Sequence, residues 1–128
     1  MDKTKKDTGK IGELLVSHHL KKLGHSILGM NYRKKWGEID VISQKSGVIH
    51  FVEVKTVSCE TLDEGQYSYS PEENVHPEKL KRLHRTIQSY LLEKRNSEDS
   101  PWQLDVAGVF LDIDGKKARV RITENIVV

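Results

Sequence analysis

Two adjoining stretches, Gly37-Glu38-Ile39-Asp40 and Phe51-Val52-Glu53-Val54-Lys55, carry the residue types that could do chemistry. Each lies in a run rich in β-branched residues and reads as a strand. The polar stretch Gln44-Lys45-Ser46-Gly47 between them predicts a hairpin turn. With Ser43 facing Val48, Glu38 opposes Glu53, and Asp40 opposes Phe51 on the diagonal from Glu53. Alternation along each strand then sends Glu38, Asp40, Glu53 and Lys55 to one face. Carboxylates on neighbouring strands repel, and burying them unpaired is expensive. Lys55 alone cannot balance three acids. A hard divalent cation, Mg²⁺ or Mn²⁺, can, because it takes carboxylate oxygens and keeps waters as further ligands. A solvated acidic face is the plainer reading of the same residues. Against it, Ile49, Phe51, Val52 and Val54 are too apolar for a strand in water and predict burial on both faces.

The elements that must position this hairpin follow from the rest of the chain. At 128 residues it makes a single domain, 1–128, large enough for a core of its own. Residues 1–6 read as a frayed start. Asp7 or Thr8 can cap a first helix whose apolar stripe runs through Ile11, Leu14, Leu15 and His18, widened by Val16, Leu20 and Leu23, with Gly24 as its stop. Gly12 inside that helix suggests a close approach, since glycine there costs roughly 1 kcal/mol against alanine. Glu13 beside it is either a neighbour of the metal face or an ordinary first-turn acid favoured by the helix dipole. Residues 25–33 form a first strand, and Asn31 to Trp36 a basic, aromatic connection into Gly37. Tyr32 and Trp36 could stack on a base or pack on the sheet edge.

Beyond Lys55, residues 58–74 have no period and read as a mobile loop. Pro77 opens a second helix with a stripe of Leu80, Leu83, His84, Ile87, Tyr90 and Leu91, and the run Asn96 to Pro101 ends it. Trp102 to Leu111 is a fourth strand, Asp112-Ile113-Asp114-Gly115 a turn, and Lys116 to Ile122 a fifth. The fold class is α/β, in αβββαββ order, with helices packed on a mixed central sheet.

Charge and composition narrow the partners. Apolar residues make up 36% and charged residues 31% of the chain, with no run long enough for a membrane helix and no signal-peptide core. The single cysteine, Cys59, suits the cytoplasm. The net charge of +2 says little, but basic residues cluster at Lys3 to Lys10, Arg33-Lys34-Lys35, Lys79 to Arg85 and Lys116 to Arg121. Cations around an acidic metal centre suit a phosphodiester, and Arg33, Lys34, Lys35, Lys79 and Arg82 are the expected backbone contacts. Nucleic acid is therefore the expected partner, with no membrane and with a homodimer allowed.

An acid on one strand followed by Glu53-Val54-Lys55 on the next resembles the PD-(D/E)xK superfamily of restriction-endonuclease-like nucleases. The ordered set Gly9-x-x-Gly12-Glu13, Asn31-Tyr32-Arg33, Gly37-Glu38-Ile39-Asp40 and Phe51-Val52-Glu53-Val54-Lys55-Thr56 is similar, more narrowly, to the YraN-type uncharacterised bacterial family, relatives of archaeal Holliday junction resolvases. The resemblance implies a restriction-endonuclease-like core. It also implies metal held by Asp40, Glu53 and the Val54 carbonyl, Glu13 and Glu38 tuning that ion or a second one, and Lys55 assisting water attack. Two departures stand out: Ile39 in place of a proline before Asp40, and Val57 where an arginine is usual. Three function classes follow: an endonuclease acting on branched DNA, a nucleic-acid-binding module with a weak or inactive site, and an interaction protein offering an acidic hairpin.

Overall fold

The computed structural model describes residues 5–58, 76–94, 100–112 and 116–126. The frayed start, the loop 58–74, Cys59, the run Asn96 to Pro101 and the turn after Asp112 fall wholly or partly outside them. Helix α1 (Lys5–Lys22) is followed by strands β1 (Ser26–Lys34), β2 (Gly37–Lys45) and β3 (Val48–Ser58). Helix α2 (Pro77–Glu93) then leads to β4 (Trp102–Asp112) and β5 (Lys117–Thr123), which is the order the sequence pattern implies. The five strands lie in chain order in one sheet. β3 and β4 run parallel and the other pairs antiparallel, because only β3 and β4 are joined by a crossover helix.

The two helices cover opposite faces. Leu83, Ile87, Tyr90 and Leu91 of α2 pack with Ile39, Ile42, Ile49, Phe51 and Leu104. Val16 and Leu20 of α1 pack with Val41, Val52, Ala107, Val109 and Leu111. Burial on both faces explains why β3 and β4 read as apolar runs instead of alternating. Gly24, at φ +96°, ends α1 as expected, and the chain reverses through bonds from the Gly24 N–H to the Lys21 carbonyl and from the His25 N–H to the Leu20 carbonyl. Among the described residues no helix is long and apolar enough to cross a membrane.

Three expectations about packing need correction. The buried line of α1 is Gly12, Val16 and Leu20, while Leu14 is 61% exposed and His18 and Leu23 also face out. A helix laid on one face of a sheet buries a single stripe, so the wider apolar arc overstates what α1 can cover. On α2, His84 is exposed, and Thr86 is buried instead, its hydroxyl donating to the Arg82 carbonyl at 2.8 Å. The third correction is the hairpin register. Ser46 (φ +53°) and Gly47 (φ +80°) both adopt the left-handed conformation, which makes a two-residue turn with Lys45 opposite Val48 and Val41 opposite Val52. The expected pairing of Ser43 with Val48 is displaced by two residues. An even shift by itself keeps side chains on their faces, but the expected single acidic face fails for another reason: Ile39 and Val41 pack on opposite sides, so Glu38 joins Glu13 of α1 through Asn31 while Glu53 faces Lys79 of α2.

Candidate functional site

The site grows out of a fork in the sheet. β2 stays paired with β1 as far as Gly37 opposite Lys34, but its pairing with β3 ends at Val41 opposite Val52. Beyond that rung, residues 37–40 of β2 and 53–58 of β3 diverge, and β3 continues alongside β4. The strand alternation also breaks here. Ile39 and Ile42 share the α2-side core although three residues apart, while Val41 packs on the α1 side. On β1, Tyr32 and Met30 likewise pack on opposite faces, and Asn31 between them has φ +53°. The register passes from Met30–Val41 to Tyr32–Ile39 with no rung at Asn31 and Asp40. Such an irregularity re-aims side chains, and here it turns Asp40 into the fork. Asp40 Oδ2 accepts the Val54 N–H at 2.7 Å, an amide that an antiparallel partner would otherwise take.

Two glycines close the site from above and below. A Cβ on Gly12 would sit 1.8 Å from Thr56 Oγ1, so only glycine lets α1 come down on the far half of β3. That contact brings the next residue, Glu13, over the fork. A Cβ on Gly37 would meet Thr86 Oγ1 at 2.6 Å and the Arg82 carbonyl at 3.4 Å, so Gly37 holds the start of β2 against α2.

Carboxylate oxygens of Glu13, Glu38 and Asp40 lie within 4.8 Å of one another. Asn31 Nδ2 donates to Glu13 Oε1 at 2.8 Å and to Glu38 Oε1 at 3.1 Å, and Arg33 pairs with Glu38 Oε2 at 3.0 Å. Glu53 lies on the α2 side, nearly buried, where Lys79 Nζ reaches its Oε1 at 2.6 Å. Burial pushes the Asp40 carboxyl well above the usual carboxylate range, and the charges of Glu53, Glu13 and Glu38 push it further, against the single opposing Val54 N–H. Glu53 is also raised by burial, with Lys79 pulling it back and Glu38 and Glu13 adding to the rise. These oxygens form a hard donor set with more negative charge than the local cations cancel. That is the composition a Mg²⁺ or Mn²⁺ ion fits.

The expected site residues therefore separate. Glu13, Glu38 and Asp40 converge, Glu53 and Val54 flank them, and Lys55 is exposed two residues past Glu53 on the same face. Of the basic residues, Arg33 and Lys79 bond to site acids, and Lys35 and Arg82 are exposed. Lys34 is committed elsewhere, in an ion pair with Glu93. Trp36 is half-buried with the Arg85 guanidinium 4.1 Å from its ring centre, so this face of the indole is already covered. The basic residues of β5 lie two strands from β3, away from the fork. The bridging role of Asn31 and the Lys79–Glu53 pair were missed in the sequence. A lone asparagine within a strand, where that residue is depleted, was the available signal for the first.

The model of the uncharacterised protein family UPF0102 matches residues 12–109, which span the fork and both glycine contacts. The chain belongs to that family. UPF0102 proteins similar to it include one from Alkaliphilus oremlandii, 39% identical over 120 residues that cover 94% of this chain and 97% of the relative. Another, from Alkaliphilus metalliredigens, is 35% identical over 120 residues, covering 94% and 96%. One from Clostridium botulinum is 32% identical over 123 residues, covering 94% and 93%. The YraN-type resemblance agrees with this membership.

Proposed function

We propose that the protein is a metal-dependent endonuclease of the PD-(D/E)xK kind that hydrolyses phosphodiester bonds in DNA, with branched or junction DNA as its preferred class. The observation that carries this reading is Asp40: a largely buried carboxylate with one N–H partner, set among three further acids at a break in the strand pairing. A purely structural acid would gather donors. Asp40, Glu53 and the Val54 carbonyl would hold Mg²⁺ or Mn²⁺, and Glu13 and Glu38 would tune that ion or help hold a second. Bound there, a divalent cation supplies Lewis-acid charge to a phosphoryl oxygen. Lys55, exposed on the same face as Glu53, orients the attacking water, accepts its proton or stands against the charge that builds on phosphorus. The water oxygen bonds to phosphorus as the ester P–O bond breaks, and the leaving oxygen is protonated. Arg33, paired with Glu38, and the exposed Lys35 and Arg82 suit backbone phosphates.

A nucleic-acid-binding protein with a weak nuclease-like site is the second reading, favoured by Val57 at the position where an arginine is usual. Purified protein tested on branched, single-stranded and duplex DNA and RNA, with Mg²⁺, Mn²⁺ or EDTA, separates the two. Metal-dependent cleavage that Asp40→Ala abolishes supports the nuclease. Binding without cleavage on every substrate selects the second reading.

A further inference from the structure

Lys79 enters the acidic centre from an unexpected direction. It stands in the first turn of α2, three residues after the N-cap His76, and its ammonium rests on Glu53 Oε1 at 2.6 Å. Its side chain is 41% exposed, whereas that of Glu53 is 11% exposed. The pair thus joins a fixed, nearly buried carboxylate to a cation at the water-facing mouth of the site. The helix beneath Lys79 packs closely on the start of β2, where a Cβ on Gly37 would meet Thr86 Oγ1 at 2.6 Å. The charge itself rides on a flexible four-carbon stem.

Resting on the metal-nuclease reading, we propose that Lys79 is an exchangeable counter-cation, which caps Glu53 in the metal-free protein and passes to a nucleic-acid phosphate when a divalent ion takes that carboxylate. Metal–oxygen contacts of roughly 2.0–2.6 Å and an ammonium contact on the same oxygen put two cations within repulsive range. The ammonium is the mobile one. Released, it lies beside the cation that polarises the phosphate, at the edge from which a backbone would approach. In the metal-free protein, nucleic acid must first break the Lys79–Glu53 pair to use this lysine. In the loaded protein the pair is already open. Metal and nucleic acid therefore bind with positive, reciprocal coupling carried by one side chain.

The test measures Mn²⁺ affinity by calorimetry or electron paramagnetic resonance in wild type, Lys79→Met and Lys81→Met, the last an exposed control on the same helix. Lys79→Met should bind Mn²⁺ roughly fivefold more tightly and Lys81→Met no differently. Binding of a labelled four-way DNA junction is then compared in EDTA and in Ca²⁺. The ion should strengthen wild-type binding by roughly fivefold and leave Lys79→Met nearly unchanged. Wild-type Mn²⁺ binding with equal or weaker binding by Lys79→Met would overturn the exchange and leave the metal centre standing. Absence of Mn²⁺ binding in both proteins at millimolar concentration would remove the metal centre and the exchange with it. Lys79→Gln repeats the comparison should Lys79→Met fail to give a cooperative melting curve.

Discussion

Asp40 and Asp105 are both acids set inside the sheet, one at the fork between β2 and β3 and the other near the start of β4, toward the hairpin. Asp105 is 1% exposed and has gathered donors. Its Oδ1 accepts from Gln103 Nε2 at 2.8 Å and the Asn125 N–H at 3.0 Å, and its Oδ2 from His50 Nδ1 at 2.7 Å. His25 stacks edge-on against His50 at 4.7 Å and bonds Ser43, and burial together with the neighbouring His50 lowers its basicity. The Asn125 bond, with the Ile126 N–H on the Leu104 carbonyl, ties the chain after β5 to β4. Asp40 has the opposite company: one amide and three like charges. An acid that collects donors holds a fold together. One that collects acids leaves negative charge that Arg33 and Lys79 cancel only in part.

The sharpest way to break this contrast is activity. Asp40→Ala should lose both the metal-dependent gain in melting temperature and cleavage, the latter by on the order of a hundredfold or more. Lys55→Ala should lose cleavage on about the same scale but keep the metal shift, since the acids remain. Lys55→Arg should also be poor, because a guanidinium neither accepts a proton nor fits a compact ammonium's place. Asp105→Asn should retain the metal shift. Loss of that shift in Asp105→Asn, or its survival in Asp40→Ala, would erase the distinction between the two acids.

Stability in EDTA should move in opposite directions at the two positions. Asp105→Ala strands buried donors and should cost about 2–3 kcal/mol in denaturant unfolding. Above about pH 8, where the Asp40 carboxyl is ionised, Asp40→Asn removes a charge from a like-charged cluster and should stabilise the metal-free protein by about 1 kcal/mol. The pH dependence sharpens the same point. The Asp40 carboxyl is raised from 3.8 to about 8 in the folded protein, so across that window the folded state binds more protons than the unfolded chain. Unfolding free energy must then fall as pH rises from about 4 to about 8. Asp40→Asn should flatten that slope. A slope unchanged in this variant would assign it to other groups.

The sequence carried the fold because each element had a local signature: the Gly24 stop, Pro77 opening α2, and apolar runs for strands covered on both faces. It also named the acids that gather at the fork, but not their faces: Glu38 sits with Glu13 through Asn31, and Glu53 with Lys79 of α2. It could not carry the fork. The loss of pairing beyond Val41–Val52 follows no local period, and α1 meets Thr56 beside it through a contact between positions 44 residues apart. The Asp105 cluster was invisible for a related reason. Its members, His50, Gln103 and Asn125, come together only once β3 and β4 run parallel and the chain after β5 folds back. Neither strand period nor helix period links them.

The smallest expected effect separates the basic residues expected to touch phosphate from the basic cluster of β5. Lys35 and Arg82 are exposed near the fork, whereas Lys116 and Lys117 are exposed by β5, an edge strand two removed from β3. Each phosphate neutralised by a lysine or arginine releases condensed counterions, so the logarithm of DNA affinity falls linearly with the logarithm of salt concentration. Replacing Lys35 and Arg82 together with alanine should reduce that slope by roughly one to two units, about one per lost contact, and weaken binding to all sequences alike. Replacing Lys116 and Lys117 should leave the slope within error of wild type, because DNA seated across the fork does not reach β5. Fluorescence anisotropy across a salt series measures both. An equal loss from the two double variants would mean that DNA spans the whole sheet edge to edge. A loss confined to the β5 variant would move the nucleic-acid surface away from the acids and leave the fork without its substrate.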